Sequence, residues 1–282
     1  MTSLAQSYRA CRRITARASS TFYLASLLFD APIRRDIQVL YAFCRVADDI
    51  VDASKHSDEQ KRAQLKAMQQ AIDTHQQCEV EPEIWPALFA IQARYRLPKA
   101  QLKNVLRGVG SDIVFTQPKT LAQLDEYSYY VAGVVGLLSA RILGAHKAST
   151  YRGARQLGIA MQYTNIIRDV AADHALDRIY IPKSIMREYG VKPSMLDEFP
   201  QAPELIAALA RLTEQAEGYY AEAEAAIRDL PAGYQKPVRV ATALYRGVLE
   251  RVKQKRYTVL DGRVRLNRLD KLAVVWDTYR GR

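Results

Sequence analysis

The sequence predicts an all-α protein, and two features of its 282 residues lead to this prediction. Apolar residues recur at spacings of three and four over long segments, which is typical of amphipathic helices. The strict alternation of apolar and polar residues that indicates strands never extends beyond a few positions. Turn signals such as Ala31-Pro32 and Asp261-Gly262 separate the periodic segments from one another.

Eleven helices follow from this pattern, in chain order. They are predicted at 5–16, 20–29, 32–53, 58–78, 83–95, 99–115, 121–146, 150–172, 202–229, 234–256 and 267–279. Further helix boundaries are predicted at Leu97-Pro98, Gln117-Pro118 and Leu230-Pro231, because a residue followed by proline often marks a turn. One long irregular stretch, roughly 174–200, contains DRIYIPKSIMREYGVKPS. No repeat or low-complexity linker divides the chain, so residues 1–282 are predicted to form a single domain.

Composition narrows the class of protein. A hydrophobic content of 49% with 25% charged residues is ordinary for a globular protein. The N-terminal residues have no apolar core typical of a signal peptide, and the longest apolar run, 131–140, is too short to span a bilayer. The three cysteines (Cys11, Cys44 and Cys78) are scattered, which fits free thiols in a reducing cytosol. We therefore expect a cytoplasmic protein that is not integral to the membrane.

The net charge of +11 raises the question of a nucleic-acid partner. Basic residues are mostly spread over helical faces, and no aromatic-basic RNA-binding motif occurs, so no nucleic-acid partner is expected. Basic residues are concentrated in Arg9–Arg17 and Arg251–Arg268. Each concentration fits a solvated helix face, an anionic membrane surface or an anionic substrate.

Three acids interrupt an apolar helix in YAFCRVADDIVD, residues 41–52. Positions 41, 45, 48 and 52 advance by four, three and four, so Tyr41, Arg45, Asp48 and Asp52 share one helical face. Two carboxylates one turn apart, beside a cation, suit Mg²⁺ and a bound anion, because Mg²⁺ prefers oxygen ligands and often shares substrate phosphates. A solvated acidic face is the alternative that this motif alone leaves open.

A second helix repeats the arrangement in QYTNIIRDVAAD, residues 162–173. Gln162, Asn165, Asp169 and Asp173 advance by three, four and four, and Arg168 lies beside them. Two such stripes would be unfavourable if they were buried without ligands. We therefore expect them to face each other across a cavity, with Mg²⁺ bridging them to a diphosphate.

These motifs, in combination and in order, resemble the squalene/phytoene synthase family of head-to-head prenyl transferases. The resemblance runs from ARASSTFYLASLLF through YAFCRVADDIVD, YVAGVVGLL and QYTNIIRDVAAD to DRIYIPKS. It implies the isoprenoid synthase fold, a helical bundle with a central active-site cavity. The context of the motifs looks most like bacterial phytoene synthases, and DRIYIPKS corresponds to the family's flap over the site.

The resemblance also implies roles for individual residues. Two aspartate-rich motifs would bind Mg²⁺, or Mn²⁺ in its place, through Asp48, Asp52, Asn165, Asp169 and Asp173. Catalytic roles are implied for the four aspartates and for Tyr245. Diphosphate contacts are implied for Arg45, Arg168 and Arg263, with Gln162 assisting at the second motif. The substrate tunnels would be lined by Ser19, Phe22, Tyr41, Tyr127, Val131, Val135, Gly136, Ala154, Leu157, Met161 and Tyr245.

Some positions allow two interpretations. Gly133 and Gly136 lie inside a predicted helix, where each costs about 1 kcal/mol relative to alanine. They permit either close helix packing or a groove for a flat prenyl tail. Ser26 lies four residues after Phe22 and is small, so we expect it to leave room at the end of the tunnel. The competing interpretation is that Ser26 faces solvent or another helix. Cys44 and the four histidines lack the spacing of a catalytic or zinc site.

The expected reaction joins two geranylgeranyl diphosphates to phytoene, through a cyclopropylcarbinyl diphosphate. A C30 synthase acting on farnesyl diphosphate is the alternative, and NADPH is not expected. A non-catalytic assembly protein is a remote alternative, since all four aspartates remain. A chain-elongating prenyl transferase or a terpene cyclase would have a different second motif. The apolar product and the basic helices predict peripheral membrane contact.

Overall fold

The computed structural model describes residues 2–198 and 202–280, and all regular secondary structure within them is helical. This confirms the predicted all-α class. Residues 1, 199–201 and 281–282 lie outside the described residues. That residues 1–282 form one domain stays a prediction. None of the described helices combines the length and the apolarity that crossing a bilayer requires.

The first half of the chain forms eight α-helices with two other helical turns. In order they are α1 (Leu4–Ala18), α2 (Ser20–Ser26), α3 (Ala31–Asp52), α4 (Asp58–Thr74), a 3₁₀ turn (Pro82–Ile84), α5 (Trp85–Tyr95), α6 (Lys99–Gly110), α7 (Leu121–Ser128), a π-helical turn (Tyr129–Gly133) and α8 (Val134–Ile142). The described residues of the second half form seven more. They are α9 (Ala148–Arg168), α10 (Val170–His174), α11 (Lys183–Tyr189), α12 (Met195–Glu198), α13 (Pro203–Ile227), α14 (Ala232–Gln254) and α15 (Arg268–Arg280).

Side chains cap the helices that begin near the site. The Asp30 carboxylate accepts a hydrogen bond from the backbone N–H of Ile33 at the start of α3 (2.9 Å). Ser19 does the same for Phe22 at the start of α2 (3.1 Å). Such caps satisfy N–H groups that have no partner inside the helix, and typically contribute about 1 kcal/mol. They fix where α2 and α3 begin, and therefore which of their residues face inward.

The predicted helix 121–146 is interrupted. A π-helical turn at Tyr129–Gly133 separates α7 from α8, and the backbone N–H of Val134 bonds to the carbonyl of Tyr129. Such a turn contains one extra residue and shifts the face that the following helix presents. The spacing of apolar residues did not predict this turn, because apolar residues continue along the chain on both sides of it.

Other boundaries also differ from those predicted. The helix predicted over 150–172 changes direction at Asp169, whose φ of −104° and ψ of 15° lie outside the helical region. The stretch predicted as irregular, 174–200, contains α11 and α12, although positions 199 and 200 lie outside the described residues. Helices α2, α4 and α6 end earlier than predicted, at Ser26, Thr74 and Gly110. Both short helices in 174–200 are shorter than the window over which periodicity is informative.

Helix α9 packs closely against neighbours on two sides. It runs along α13 and crosses α8 and the π-helical turn. A Cβ on Gly136 would lie 2.0 Å from the carbonyl oxygen of Ala154, and one on Gly158 would lie 2.2 Å from that of Ala132. Only glycine permits these approaches, since real Cβ atoms never come so close to a backbone atom. For Gly136 the structure therefore supports close helix packing as the reason for the glycine.

Candidate active site

The helices enclose a cavity of about 700 Å³. Every residue to which the family resemblance assigned a role lies on its wall, which brings together segments from α2 to the loop before α15. Gly136 lies on this wall as well as in the helix contact described above, whereas Gly133 does not. Proximity to a common cavity is what the structure adds, and the individual roles stay predictions.

One face of helix α3 runs along the cavity. Ile37, Tyr41, Cys44 and Asp48 line it and advance by four, three and four, so one face of α3 forms a continuous strip of wall. At a rise of 1.5 Å per residue, the strip from Ile37 to Asp48 is about 16 Å long. It begins apolar and ends with a carboxylate.

Helix α9 forms the opposite strip with the same polarity. Its lining residues run from Thr150 through Ala154 and Leu157 to Asn165, a length of about 22 Å. Small and apolar side chains occupy the first part, and Gln162 and Asn165 occupy the last turn. The cavity therefore has one polar, acidic end and one long apolar compartment.

The acidic end contains carboxylates that burial makes reluctant to ionise. Burial, helped by the neighbouring carboxylates of Asp52, Asp49 and Asp112, raises the pKa of Asp48 to about 7 against the opposing effect of Arg45. Burial, followed by the charge of Asp169, likewise raises the pKa of Asp173 to about 7. A cation bound beside these buried, mutually repelling carboxylates would favour their charged form.

Arginines hold two of the four predicted aspartates. Asp169 is paired with Arg168 and with Arg263, whose Nε lies 2.8 Å from Asp169 Oδ1. Asp52 accepts a hydrogen bond from Arg178 at 2.9 Å. Within residues 2–198 and 202–280, the carboxylates of Asp48 and Asp173 form no ion pair.

Arg45 forms an ion pair with an acid outside the predicted stripe. The helical face suggested that Arg45 would lie with Asp48 and Asp52, but its guanidinium pairs with the more exposed Asp49, one turn further along α3. Arg45 still lines the cavity. Its charge therefore lies at the acidic end of the cavity.

The sequence did not identify three further residues of the site. Asp112, Arg178 and Tyr180 all line the cavity. Tyr127 donates a hydrogen bond to Asp112 Oδ2 at 2.8 Å, and its oxygen lies 3.2 Å from the hydroxyl of Tyr180. Burial raises the pKa of Asp112 to about 6 despite these donors. A single acid in the loop after α6 has no spacing pattern, so nothing in the sequence distinguished it.

Aromatic side chains continue the wall away from the acids. The rings of Phe22 and Tyr41 stack with centroids 4.4 Å apart. Burial raises the pKa of Tyr245, although the charges of Arg168 and Arg263 oppose the rise. Tyr245 therefore remains protonated at neutral pH and offers a hydrogen-bond donor beside the two arginines.

The prediction for Ser26 was wrong. Its side chain is buried between α2 and α3, where its hydroxyl bonds to the carbonyl of Tyr23 (2.7 Å) and accepts from the Gln38 amide (2.8 Å). Ser26 is not part of the cavity wall, whereas Phe22 is. A shared helical face was insufficient to place Ser26, because α2 has only seven residues and its last turn packs against α3.

The donor set fits a hard divalent cation. The acidic end offers only oxygen ligands (the carboxylates of both helices, with Gln162 and Asn165), which suits Mg²⁺. Within the described residues, no three His, Cys, Asp or Glu side chains form a ready-made metal cluster. Mg²⁺ commonly takes one or two carboxylates and completes its shell with water and substrate phosphates, so this spacing is compatible with a shared ion.

Comparisons with known proteins identify the family of this chain. The sequence profile described as squalene/phytoene synthase matches residues 15–270. A phytoene synthase from Pseudescherichia vulneris is 31% identical over 274 residues, which cover 92% of this chain and 87% of the relative. A bifunctional lycopene cyclase/phytoene synthase from Phaeosphaeria nodorum is 31% identical over 93% of this chain. The chain spans about half the length (49%) of that relative.

The fold is also that of a solved structure. The crystal structure of a dehydrosqualene synthase in complex with ligand matches with a TM-score of 0.90 and 29% identity, over 99% of this chain and 97% of that chain. Its helical isoprenoid synthase fold is the fold that the resemblance implied. The chain therefore belongs to the squalene/phytoene synthase family.

Proposed function

We propose that the enzyme joins two molecules of geranylgeranyl diphosphate head to head and forms phytoene through a cyclopropylcarbinyl diphosphate. The observation that supports this most directly is the polarity of the cavity, which has carboxylates and arginines at one end and a long apolar compartment behind them. An allylic diphosphate placed there would direct its charged group to the polar end and its tail along α3 and α9. The names of the phytoene synthase relatives support the same product.

At the polar end, the chain would bind and orient the diphosphate. Asp48, Asp52, Asp169 and Asp173, with Asn165, would hold Mg²⁺, or Mn²⁺ in its place. The ion, when bound, would neutralise charge on the diphosphate as a Lewis acid and so promote its departure. Arg45, Arg168 and Arg263 would share that charge through hydrogen bonds, provided that Arg168 and Arg263 release Asp169. No step needs a nucleophilic side chain.

Carbon–carbon bond formation would take place in the apolar compartment. When the allylic C–O bond breaks, the electron pair leaves with the diphosphate and a cation remains on the prenyl chain. The double bond of the second substrate attacks that cation, and loss of a proton closes the cyclopropane ring. The wall of Phe22, Val131, Val135 and Leu157 would exclude water, which would otherwise capture the cation.

Chain length distinguishes the main proposal from its alternative. An extended isoprene unit is roughly 5 Å long, from four bonds of about 1.5 Å, so the whole strip of about 22 Å along α9, its polar last turn included, is as long as about four units. The strip of about 16 Å along α3 suits three units, and the dehydrosqualene synthase at 29% identity favours the C30 alternative. We favour C20 substrates because relatives named as phytoene synthases cover most of the chain.

The deciding experiment supplies labelled C15 and C20 diphosphates separately, with and without NADPH, and identifies the product by mass. The proposal expects a C40 product from C20 diphosphate that requires Mg²⁺ and does not respond to NADPH. A C30 product formed from C15 diphosphate, with C20 diphosphate left unused, would establish the alternative. If neither substrate released pyrophosphate, the remote alternative of a non-catalytic assembly protein would stand.

The proposed product is wholly apolar and its substrates are amphiphilic. An enzyme that handles both benefits from contact with a membrane, into which the product can partition. We therefore propose a cytoplasmic enzyme with peripheral membrane contact, in which basic residues favour anionic lipids.

A further inference from the structure

Helix α15 presents four large apolar side chains to solvent. Leu269, Leu272, Trp276 and Tyr279 are exposed to 77%, 60%, 58% and 45%, and no residue of α15 is buried. They advance by three, four and three, so they form one stripe, which we call the α15 apolar face. A contiguous exposed patch of this kind marks a surface for interaction, whereas single exposed apolar residues are ordinary.

Positive charge borders the α15 apolar face. At 100° per residue, Arg268 lies at one edge of the stripe and Arg280 at the other, and both are exposed. The Arg280 guanidinium lies 4.2 Å from the centroid of the Trp276 ring. Lys236 Nζ, from α14, lies 5.4 Å from the centroid of the Tyr279 ring.

The two acids of α15 do not cancel this charge. Asp270 is paired with Arg251 at 2.6 Å, on the side of the helix that packs against the protein. Asp277 is exposed and lies 100° beyond Trp276, outside the stripe. The face itself therefore combines apolar and aromatic groups with a cationic border.

We infer that the α15 apolar face docks onto an anionic lipid surface. Trp and Tyr favour the boundary between headgroups and acyl chains, and flanking Arg and Lys attract anionic lipids. A second copy of this chain fits the face less well, because two such faces in contact would bring their arginine borders together. The inference names the surface for the membrane contact that the proposed function includes.

The position of α15 connects this surface with the cavity. Val274 and Val275 pack against a cluster of residues from α2 and α14, and Lys271 Nζ bonds to Ser20 Oγ at 2.8 Å. The same two helices supply Phe22 and Tyr245 to the cavity wall. The docking surface thus lies behind a wall of the apolar compartment.

Tryptophan fluorescence provides a site-specific test, because the chain has two tryptophans and Trp85 is fully buried. Vesicles of phosphatidylglycerol mixed with phosphatidylcholine are added to the full chain without substrate. We expect a blue shift of the emission and loss of quenching by aqueous acrylamide, both reduced by salt and weak with phosphatidylcholine alone. Since no substrate is present, failure of this test would leave the proposed reaction untouched.

Variants separate the apolar face from its charged border. Leu272→Ser with Trp276→Ser should lower partition into the mixed vesicles, measured by flotation, by about tenfold for each residue. Arg268→Gln and Arg280→Gln should each lower it about fivefold on mixed vesicles and leave it unchanged on neutral ones. Leu4→Ser, at another exposed apolar position at the start of α1, is the control and should bind as the parent does.

Two results would overturn the inference. The first is flotation of the parent protein with no change in Trp276 emission, which would place the membrane contact elsewhere. The second is a blue shift that depends on protein concentration without vesicles, together with a dimer in sedimentation, which would assign the face to a second copy. Binding that the Leu272/Trp276 variant retains in full would have the same consequence as the first result.

Discussion

Arg178 Nη1 donates a hydrogen bond to Asp52 Oδ1 at 2.9 Å, and this contact joins the segment after α10 to the end of α3. The guanidinium side chain is 13% exposed, although its partner carboxylate is 45% exposed. Two residues further on, Tyr180 contacts Tyr127 across the same cavity. The segment that resembles the family's flap is thus tied to the cavity wall at two points.

Replacing Arg178 with Met should impair catalysis more than stability. An ion pair with one exposed partner contributes less than about 1 kcal/mol, so the melting temperature should change little. Loss of the contact should release the segment, so we expect kcat/KM to fall at least about tenfold. A fall of this size corresponds to a loss of about 1.4 kcal/mol of transition-state stabilisation. Steady-state kinetics and limited proteolysis within 175–182 measure the two effects.

The matched control is Arg13→Met. Arg13 forms an ion pair of similar length with Glu83 (3.0 Å), far from the cavity wall. It should leave both kinetics and proteolysis unchanged. Parent-like kinetics in the Arg178 variant would show that the contact has no part in closing the site.

Asp48→Asn should stabilise the metal-free protein at high pH. The pKa of Asp48 rises from 3.8 to about 7 on folding, so the native state binds the proton more tightly than the unfolded state. Stability therefore falls as pH rises from about 4 to 7, and the cost persists above 7. Asp48→Asn has no charge at this position and is not destabilised in this way. Its free energy of unfolding should therefore exceed that of the parent protein, by a difference that grows over the same pH window to at least about 1 kcal/mol.

Urea unfolding at pH 5 and pH 8 measures this difference. Mg²⁺ should raise the denaturation midpoint of the parent protein at pH 8 and have less effect on Asp48→Asn, because the variant lacks one ligand. Turnover should be lost in the variant. An equal response of both proteins to Mg²⁺ would remove Asp48 from the metal site.

Asp169→Asn should have the opposite effect on stability. Asp169 is 15% exposed and pairs with Arg168 and Arg263, so its removal leaves two cations without their partner. We expect a loss of about 2 kcal/mol or more in the free energy of unfolding. Asp229→Asn, which breaks the more exposed pair with Lys147, is the control and should cost less than about 1 kcal/mol. If Asp169→Asn proved as stable as the parent, the arginines would have other partners.

Asp112→Asn tests the residue that spacing did not reveal. Asp112 accepts the Tyr127 hydrogen bond at 2.8 Å and lies among the acids of the polar end. An amide in its place can donate instead, which should turn the Tyr127 hydroxyl away and lower kcat about tenfold or more. Tyr127→Phe should lower kcat similarly, and the double variant should add little to either. Additive losses would mean that the two residues act separately.

Val238→Phe tests the length of the apolar compartment. Val238 lies on the cavity wall, seven residues and about 10 Å along α14 from Tyr245. Its partly exposed side chain leaves room for a ring, which should shorten the compartment and reduce use of C20 diphosphate more than use of C15 diphosphate. Competition between the two labelled substrates measures the ratio. Ser26→Phe is the comparison, since Ser26 lies outside the wall and should lose stability without a selective change in substrate.

The amino-acid sequence determined the helical class and the main chemical elements of the site. Apolar residues spaced by three and four are sufficient to predict long helices such as α3 and α9, because the order of residues within a helix determines which of its faces is apolar. The same regularity placed Asp48 and Asp52 on one face, and Gln162 and Asn165 on another. Local geometry within a helix is independent of the rest of the fold, which is why the predicted helices α3 and α9 are confirmed. The roles of these residues stay predictions.

Tertiary structure decided which groups meet. The pairing of Asp169 with Arg263 and of Asp52 with Arg178 joins residues 94 and 126 positions apart, and no helical period relates them. The same holds for Asp112 beside Tyr127 and for Ser26 against Gln38, where a neighbouring helix, and not the helical face, fixed the environment. Such contacts depend on how helices cross, and crossing depends on close approaches such as Gly136 against Ala154 that a single sequence does not reveal.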